Sequence, residues 1–259
     1  MNDSLLHNRF ETDGFCFTDS VIPASGISAV TARMDAMVAG EYETGVAPRA
    51  AHDPNAPADK LRKIDQPHLS DLTIRSFISS PEIGKWAAAI TGAEMVQVWA
   101  VQLLIKPPGG DLGHIGFHQD MQHWTSWFKG EVFTAWVAVT DVVEENGPMT
   151  FVKGSHKWGL NENPSFFRDP DHEVQVNSIP RPDGADWEEV PALIPSGAIS
   201  FHHRFTYHGS RSNKSDTARR SFAIHLRTEK SETLDTINGY YNQNLGNPDL
   251  CPVIYGDES

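Results

Sequence analysis

Two cysteines in 259 residues, Cys16 and Cys251, are too few for a disulfide framework, and two buried free thiols are expected. Long apolar runs are missing as well. No stretch approaches the roughly 20 residues a membrane-spanning helix needs, and residues 1–10 are polar and charged rather than signal-like. Positive charge is scarce: 21 Lys and Arg against 34 Asp and Glu give a formal net charge of −13. That balance excludes nucleic acid as the expected partner, because neutralising phosphates takes clustered Lys and Arg. It also disfavours polyanionic substrates and acidic carrier proteins. The basic spots at Lys60-Leu61-Arg62-Lys63 and Arg219-Arg220 are by default solvated corners. There is no internal repeat and no low-complexity tract. The expectation is a cytoplasmic protein, off the membrane, with length enough for one large domain spanning 1–259.

What is present has a clear order. Residues 5–22 read as a short amphipathic helix, a break at Gly14, and a strand in which Phe15, Phe17 and Val21 alternate. A helix over 27–39 follows, then a loop over 41–59 and a short strand near 63–67. Helices over 70–79 and 81–91 come next, the second with Trp86 inward and Gly92 as its stop. From Val96 the character changes to short strands: 96–106, then about 114–121, 131–140, 149–152, 190–194, 198–203 and 219–228. A helical N-terminal part (about 1–95) before many short strands (about 96–259) predicts a mainly β fold with an N-terminal helical layer. The expected form is a double-stranded β-helix, a cupin-like jelly roll. Residues 155–189 are polar and proline-rich, and they read as an ordered insertion of the kind that often serves as a lid or binding loop.

The stretch with the most chemistry is GHIGFHQDMQHW, residues 113–124. In an extended strand, residues two apart share a face, so His118 and Asp120 would present an imidazole and a carboxylate side by side. Of twelve histidines, His118 alone is followed two residues later by an acid. His208, in FHHRFTYHGS, lies ninety residues downstream, a distance that suits a return strand. Two histidines and one carboxylate form a facial site for Fe(II) with open positions opposite. On a strand, Arg219 and Ser221 would share a face with Ala223 and His225, offering a guanidinium fork and a hydroxyl to a carboxylate. His203 is the rival third ligand. His202 and His156 read as structural, and His225 as a core histidine that could hydrogen-bond near a co-substrate. A non-catalytic metal- or ligand-binding β-barrel and a Zn(II) enzyme on the same ligands remain as alternatives; neither needs the Arg219-x-Ser221 pair.

Taken in order, FETDGFCF, LLIKPPG, the HQD segment, FTAWVAVTDVVEENGPMTFVKGSHKWG, SGAISFHHRFTYHGS and NKSDTARRSFAIHL resemble the phytanoyl-CoA dioxygenase family of Fe(II)/2-oxoglutarate oxygenases. The resemblance implies a double-stranded β-helix with His118, Asp120 and His208 on iron. It implies Arg219 on the far carboxylate of 2-oxoglutarate, Ser221 completing an Arg-x-Ser pair, and Gln102, Trp136 and Lys63 as further co-substrate contacts. The implied cofactors are Fe(II), 2-oxoglutarate and O2, which a reducing cytoplasm suits. The implied reaction is hydroxylation, or a related oxidation, of a small-molecule metabolite, releasing succinate and CO2. Relatives that halogenate replace the carboxylate with a small residue, whereas Asp120 is retained here. Gly197-Ala198 stands where the family often has Gly-Asp, a difference expected to affect a turn. Substrate contacts are expected first at His123, Trp124, Trp127 and Phe128, then at Arg204, Phe205 and the insertion. The acidic balance makes a CoA thioester a less expected substrate than a small metabolite.

Overall fold

The computed structural model describes residues 3–162, 171–234 and 239–257. Its N-terminal part supplies α1 (Asp3–Asp13), β1 (Phe15–Phe17), α2 (Ala24–Val38), β2 (Arg62–Asp65), α3 (Leu72–Ile78) and α4 (Pro81–Thr91). These helices form where the apolar spacing predicts them. Leu6 and Phe10 of α1, Val30, Met34 and Met37 of α2, and Ile83, Ala87 and Ile90 of α4 are buried together. Asp71 caps α3 by accepting from the Ile74 amide, and Gly92 ends α4 in the left-handed region. No helix among the described residues is long and apolar enough to cross a membrane.

The β part contains β3 (Val96–Lys106), β4 (Ile115–His118), β5 (Phe128–Ala138), β6 (Met149–Val152), β7 (Glu189–Pro191), β8 (Ile199–His203), β9 (His208–Ser210), β10 (Arg219–Thr233) and β11 (Val253–Tyr255). Short helices α5 (Met121–Trp124), α6 (His172–Ser178) and α7 (Tyr240–Gln243) sit between them. The larger sheet has the order β1-β8-β5-β10-β3-β11, with β2 also on β3, and the smaller has β4-β9-β6-β7. All of the pairings are antiparallel. This is the expected jelly roll, with β9 and β11 added to the strands read from sequence. The helices cover the outer face of the larger sheet, where Val101, Leu103, Ile105, Phe222 and Ile224 meet them.

Two local departures from strand periodicity shape the inner face. Between His225 and Leu226 the β10–β3 register skips Trp99: His225 pairs with Ala100 and Leu226 with Val98. A bulge of this kind adds one residue and resets the alternation. Val98 and Val101 therefore both face the helices while Trp99 and Ala100 both face inward. The second departure is at the HQD segment. The strand stops at His118, and Asp120 adopts helical angles (φ −55°, ψ −39°) at the start of α5. Asp120 is thus brought beside His118 by a strand-to-helix turn, which corrects the expectation of a continuous strand to 121.

The insertion is also placed differently from expectation. Trp158, Ile179 and Trp187 pack with Phe117 and Tyr207, and Gln175 accepts from the Phe117 amide at 2.6 Å. These contacts put it on the outer side of the smaller sheet. Residues 163–170 of it lie outside the described residues.

Candidate metal and co-substrate site

His118, Asp120 and His208 converge, each offering a ligand atom within 4.8 Å of the others. His118 ends β4, His208 begins β9, and the two are register partners, their rings 4.2 Å apart. That close approach of strands requires Gly209, where a Cβ would stand 2.9 Å from the Ile115 carbonyl and 3.1 Å from the Phe117 amide. His118 Nδ1 lies 2.9 Å from the Gly116 carbonyl and His208 Nδ1 lies 3.0 Å from the Thr206 carbonyl. A carbonyl only accepts, so each Nδ1 carries the proton and each Nε2 keeps its lone pair. Those Nε2 atoms face Asp120 Oδ1 at 3.9 and 3.7 Å.

The other carboxylate oxygen is held from behind. Asp120 Oδ2 accepts from Thr134 Oγ1 at 2.7 Å and from His202 Nε2 at 3.1 Å. Sheet register sets this up, since His225, Thr134 and His202 stand side by side on β10, β5 and β8. Burial would raise the Asp120 carboxyl, but His208 and His202 beside it hold it well below the usual carboxylate range. Burial drives His118 down to about 4 and His208 well below its ordinary value. Two neutral imidazoles and one carboxylate, each oriented by a second partner, make the donor set of a divalent transition-metal site. Three lone-pair atoms converging without a shared proton fit a cation between them.

About one side of this cluster lies a cavity of about 540 Å³. Arg219, Trp136, Gln102 and Lys63 all line it. Arg219 is 3 % exposed, its guanidinium over the Trp136 ring at 5.1 Å, its Nη1 donating to the Gly147 carbonyl, and its Nε without a partner. Gly147 has φ +68°, and a Cβ there would collide with the Arg211 and Ser212 carbonyls. Arg220, pointing the other way, pairs with Asp35 on α2 at 2.8 Å. The parity read from sequence therefore separates the two arginines. Ser221 is buried with its hydroxyl unpartnered, but it is outside the cavity lining. A serine hydroxyl that does line the cavity is that of Ser210, two residues after His208 on the same face of β9. Its Oγ accepts from Lys106 Nζ at 2.7 Å, which leaves its own proton for another acceptor. Lys106 is fully buried opposite Arg219 in the β3–β10 register, and burial, then Arg219, push its ammonium well below the ordinary range. Sequence reading missed Ser210 and Lys106. The signals were the His-x-Ser spacing on a strand and the lysine ending LLIK.

Of the residues expected to meet substrate, His123, Trp124 and Trp127 line the cavity. Phe128 does not: it is fully buried behind Trp99, 4.9 Å between centroids. Arg204 stacks on Phe205 at 4.6 Å, and both are outside the lining; the Phe205 carbonyl accepts from Gln119 Nε2 at 2.8 Å. No described residue of the insertion lines this cavity. The walls come instead from Lys60 and Leu61, from Leu112 and His114, from Trp99, and from Tyr241 near the C-terminus. Tyr241 is held by its hydroxyl, which donates to Asp65 Oδ2 at 2.8 Å, while Arg49 stacks over its ring at 4.8 Å. His203, the rival ligand, faces away, its Nδ1 accepting from the Phe205 amide and its ring against His156. His202, read as structural, is the donor to Asp120.

The profile of a family described as "Phytanoyl-CoA dioxygenase (PhyH)" matches residues 10–221. The chain is 27 % identical over 189 residues to phytanoyl-CoA dioxygenase domain-containing protein 1 of Mus musculus, covering 71 % of this chain and 63 % of that one. It is 25 % identical over 196 residues to the peroxisomal phytanoyl-CoA dioxygenase of Homo sapiens, covering 73 % and 56 %. It thus spans less than two thirds of the length of these relatives. Among solved structures, the epimerase SnoN from nogalamycin biosynthesis, in complex with Fe3+, alpha ketoglutarate and nogalamycin RO, shares the fold. The TM-score is 0.70 at 21 % identity, over 92 % of this chain and 91 % of that one.

Proposed function

Because the chain belongs to the phytanoyl-CoA dioxygenase family, we propose that it is a non-haem Fe(II)- and 2-oxoglutarate-dependent oxygenase. Its reaction is hydroxylation, or a related oxidation, of an unactivated C–H bond in a small molecule, with release of succinate and CO2. The observation that carries this reading is the convergence of His118 Nε2, His208 Nε2 and Asp120 Oδ1 at a cavity that also holds a buried arginine. Those three atoms would hold Fe(II). Bound there with 2-oxoglutarate, the iron supplies O2 activation and the oxidising power for C–H cleavage.

The chain's own residues do the rest. Gly116, Thr206, Thr134 and His202 fix tautomers and orientation in the ligand set. Arg219, anchored on Gly147 with Nε to spare, holds the far carboxylate of 2-oxoglutarate. Ser210, turned by Lys106, gives that carboxylate a second donor. Trp136 forms the floor under the guanidinium, and Gln102 and Lys63 face the same volume. Trp99, Trp124, Trp127 and Tyr241 wall the remaining space and exclude water from it. A cavity of about 540 Å³ suits a small metabolite beside the co-substrate. Anaerobic equilibrium dialysis tests the binding: one Fe(II) is retained per chain, and 2-oxoglutarate is retained only with iron. Loss of neither ion nor acid on changing Asp120→Ala would sink the assignment.

A further inference from the structure

The network behind Asp120 ends on His225, and the direction of its hydrogen bonds is forced. Thr134 Oγ1 is 2.7 Å from Asp120 Oδ2 and 2.9 Å from His225 Nδ1. A carboxylate has no proton to give, so the hydroxyl donates its single proton to Asp120. The hydroxyl can then only accept from the imidazole, which puts the proton of His225 on Nδ1. In the neutral ring, Nε2 is left as an acceptor. That nitrogen has no hydrogen-bond partner among the described residues, and the ring lines the cavity. The ring is also fixed in place, stacked on Trp99 at 5.4 Å and met edge-on by Trp124 at 4.9 Å.

The rest of the aromatic wall offers little in the way of acceptors. Trp99 Nε1 donates to the Leu226 carbonyl at 3.3 Å, and the Tyr241 hydroxyl is committed to Asp65. An acceptor that opens onto a cavity walled by rings is met by a ligand carrying the matching donor, and a site built around one disfavours analogues that lack it. We infer that His225 reads the substrate, taking a hydrogen bond at Nε2 from a hydroxyl or N–H group carried by a flat, apolar body packed against Trp99 and Trp124. This rests on the oxygenase reading for calling the ligand a substrate, but the acceptor itself stands on the hydrogen-bond chain.

The test uses two probes of one shape, 2-naphthol and 2-methylnaphthalene, titrated calorimetrically into anaerobic protein loaded with Fe(II) and 2-oxoglutarate, and into metal-free protein. Wild type is expected to bind the naphthol about tenfold more tightly. His225→Phe, which keeps a ring between the tryptophans, loses the preference. His225→Gln, whose amide oxygen can accept, regains part of it. Independently of any variant's folding, 15N NMR of histidine-labelled metal-free protein is expected to show an unprotonated His225 Nε2 whose resonance moves upfield with naphthol only. Equal binding of the two probes, binding of neither, or a preference that survives His225→Phe overturns the inference. Failure to bind iron and 2-oxoglutarate, with the naphthol preference intact, defeats the oxygenase reading and leaves the acceptor standing.

Discussion

At the scale of single residues, Asp120 does two jobs with two oxygens. Oδ1 faces the histidine nitrogens while Oδ2 is pinned by Thr134 and His202. Removing a second partner of this type commonly lowers metal affinity by about 10–100-fold. Thr134→Val should therefore weaken Fe(II) retention by that order in competition with a chelator, and Thr134→Ser should largely restore it. An affinity unchanged in the valine variant would mean the hydroxyl is a spectator. Much of this was legible in the residues. His118, Asp120 and His208 stand out by spacing, and alternation along β10 separates Arg219 from Arg220. His202 was not legible as a donor to the carboxylate, because its role depends on β8 lying beside β5 with His202 opposite Thr134. Ser221 shares Arg219's parity, yet the open volume lies toward the smaller sheet, where Ser210 faces it.

Elements show where periodicity misleads. A run such as VQVWAVQLLIK reads as one regular strand, but the bulge at Trp99 puts two consecutive residues on the cavity side. The HQD segment reads as a strand to 121, but Gln119 breaks it. Its amide accepts no ladder role, donating instead to Gln122 Oε1 at 3.1 Å, and its side chain reaches the Gly159 and Phe205 carbonyls, both at 2.8 Å. These are long-range partners that local pattern cannot show. The β4–β9 approach belongs to the same scale. Gly209→Ala sets a methyl against two backbone groups and forces the strands apart, separating His118 from His208. Overpacking of this kind costs about 1–3 kcal/mol. A lowered urea midpoint together with loss of iron retention is expected, and a variant with wild-type stability would contradict the packing described.

The whole molecule is acidic, but its cavity is not. With a net charge of −13 overall, the charged side chains lining the cavity are Lys60, Lys63 and Arg219 against Asp120 alone. Whole-chain charge therefore describes the outer surface, and it is a poor guide to what enters. Burial of histidine has a global consequence too. His68 is fully buried and burial lowers it to about 4, and burial lowers His203 to about 3. Unfolded histidine titrates near ~6.5, so below that pH the unfolded chain takes up protons that the folded chain refuses. Stability should fall as pH drops from ~6.5 toward ~4, by about 1.4 kcal/mol per pH unit for each such histidine. A series of thermal melts measures this, with His68→Leu expected to flatten the slope; a flat profile in wild type would contradict it. The central claim is tested most directly by anaerobic visible absorption as Fe(II) and then 2-oxoglutarate are added. A weak charge-transfer band is expected in wild type and in Arg220→Ala, none in His118→Ala, and one needing more 2-oxoglutarate in Arg219→Ala. A folded wild-type protein that gives no band, or an Arg220→Ala variant impaired like Arg219→Ala, would contradict it.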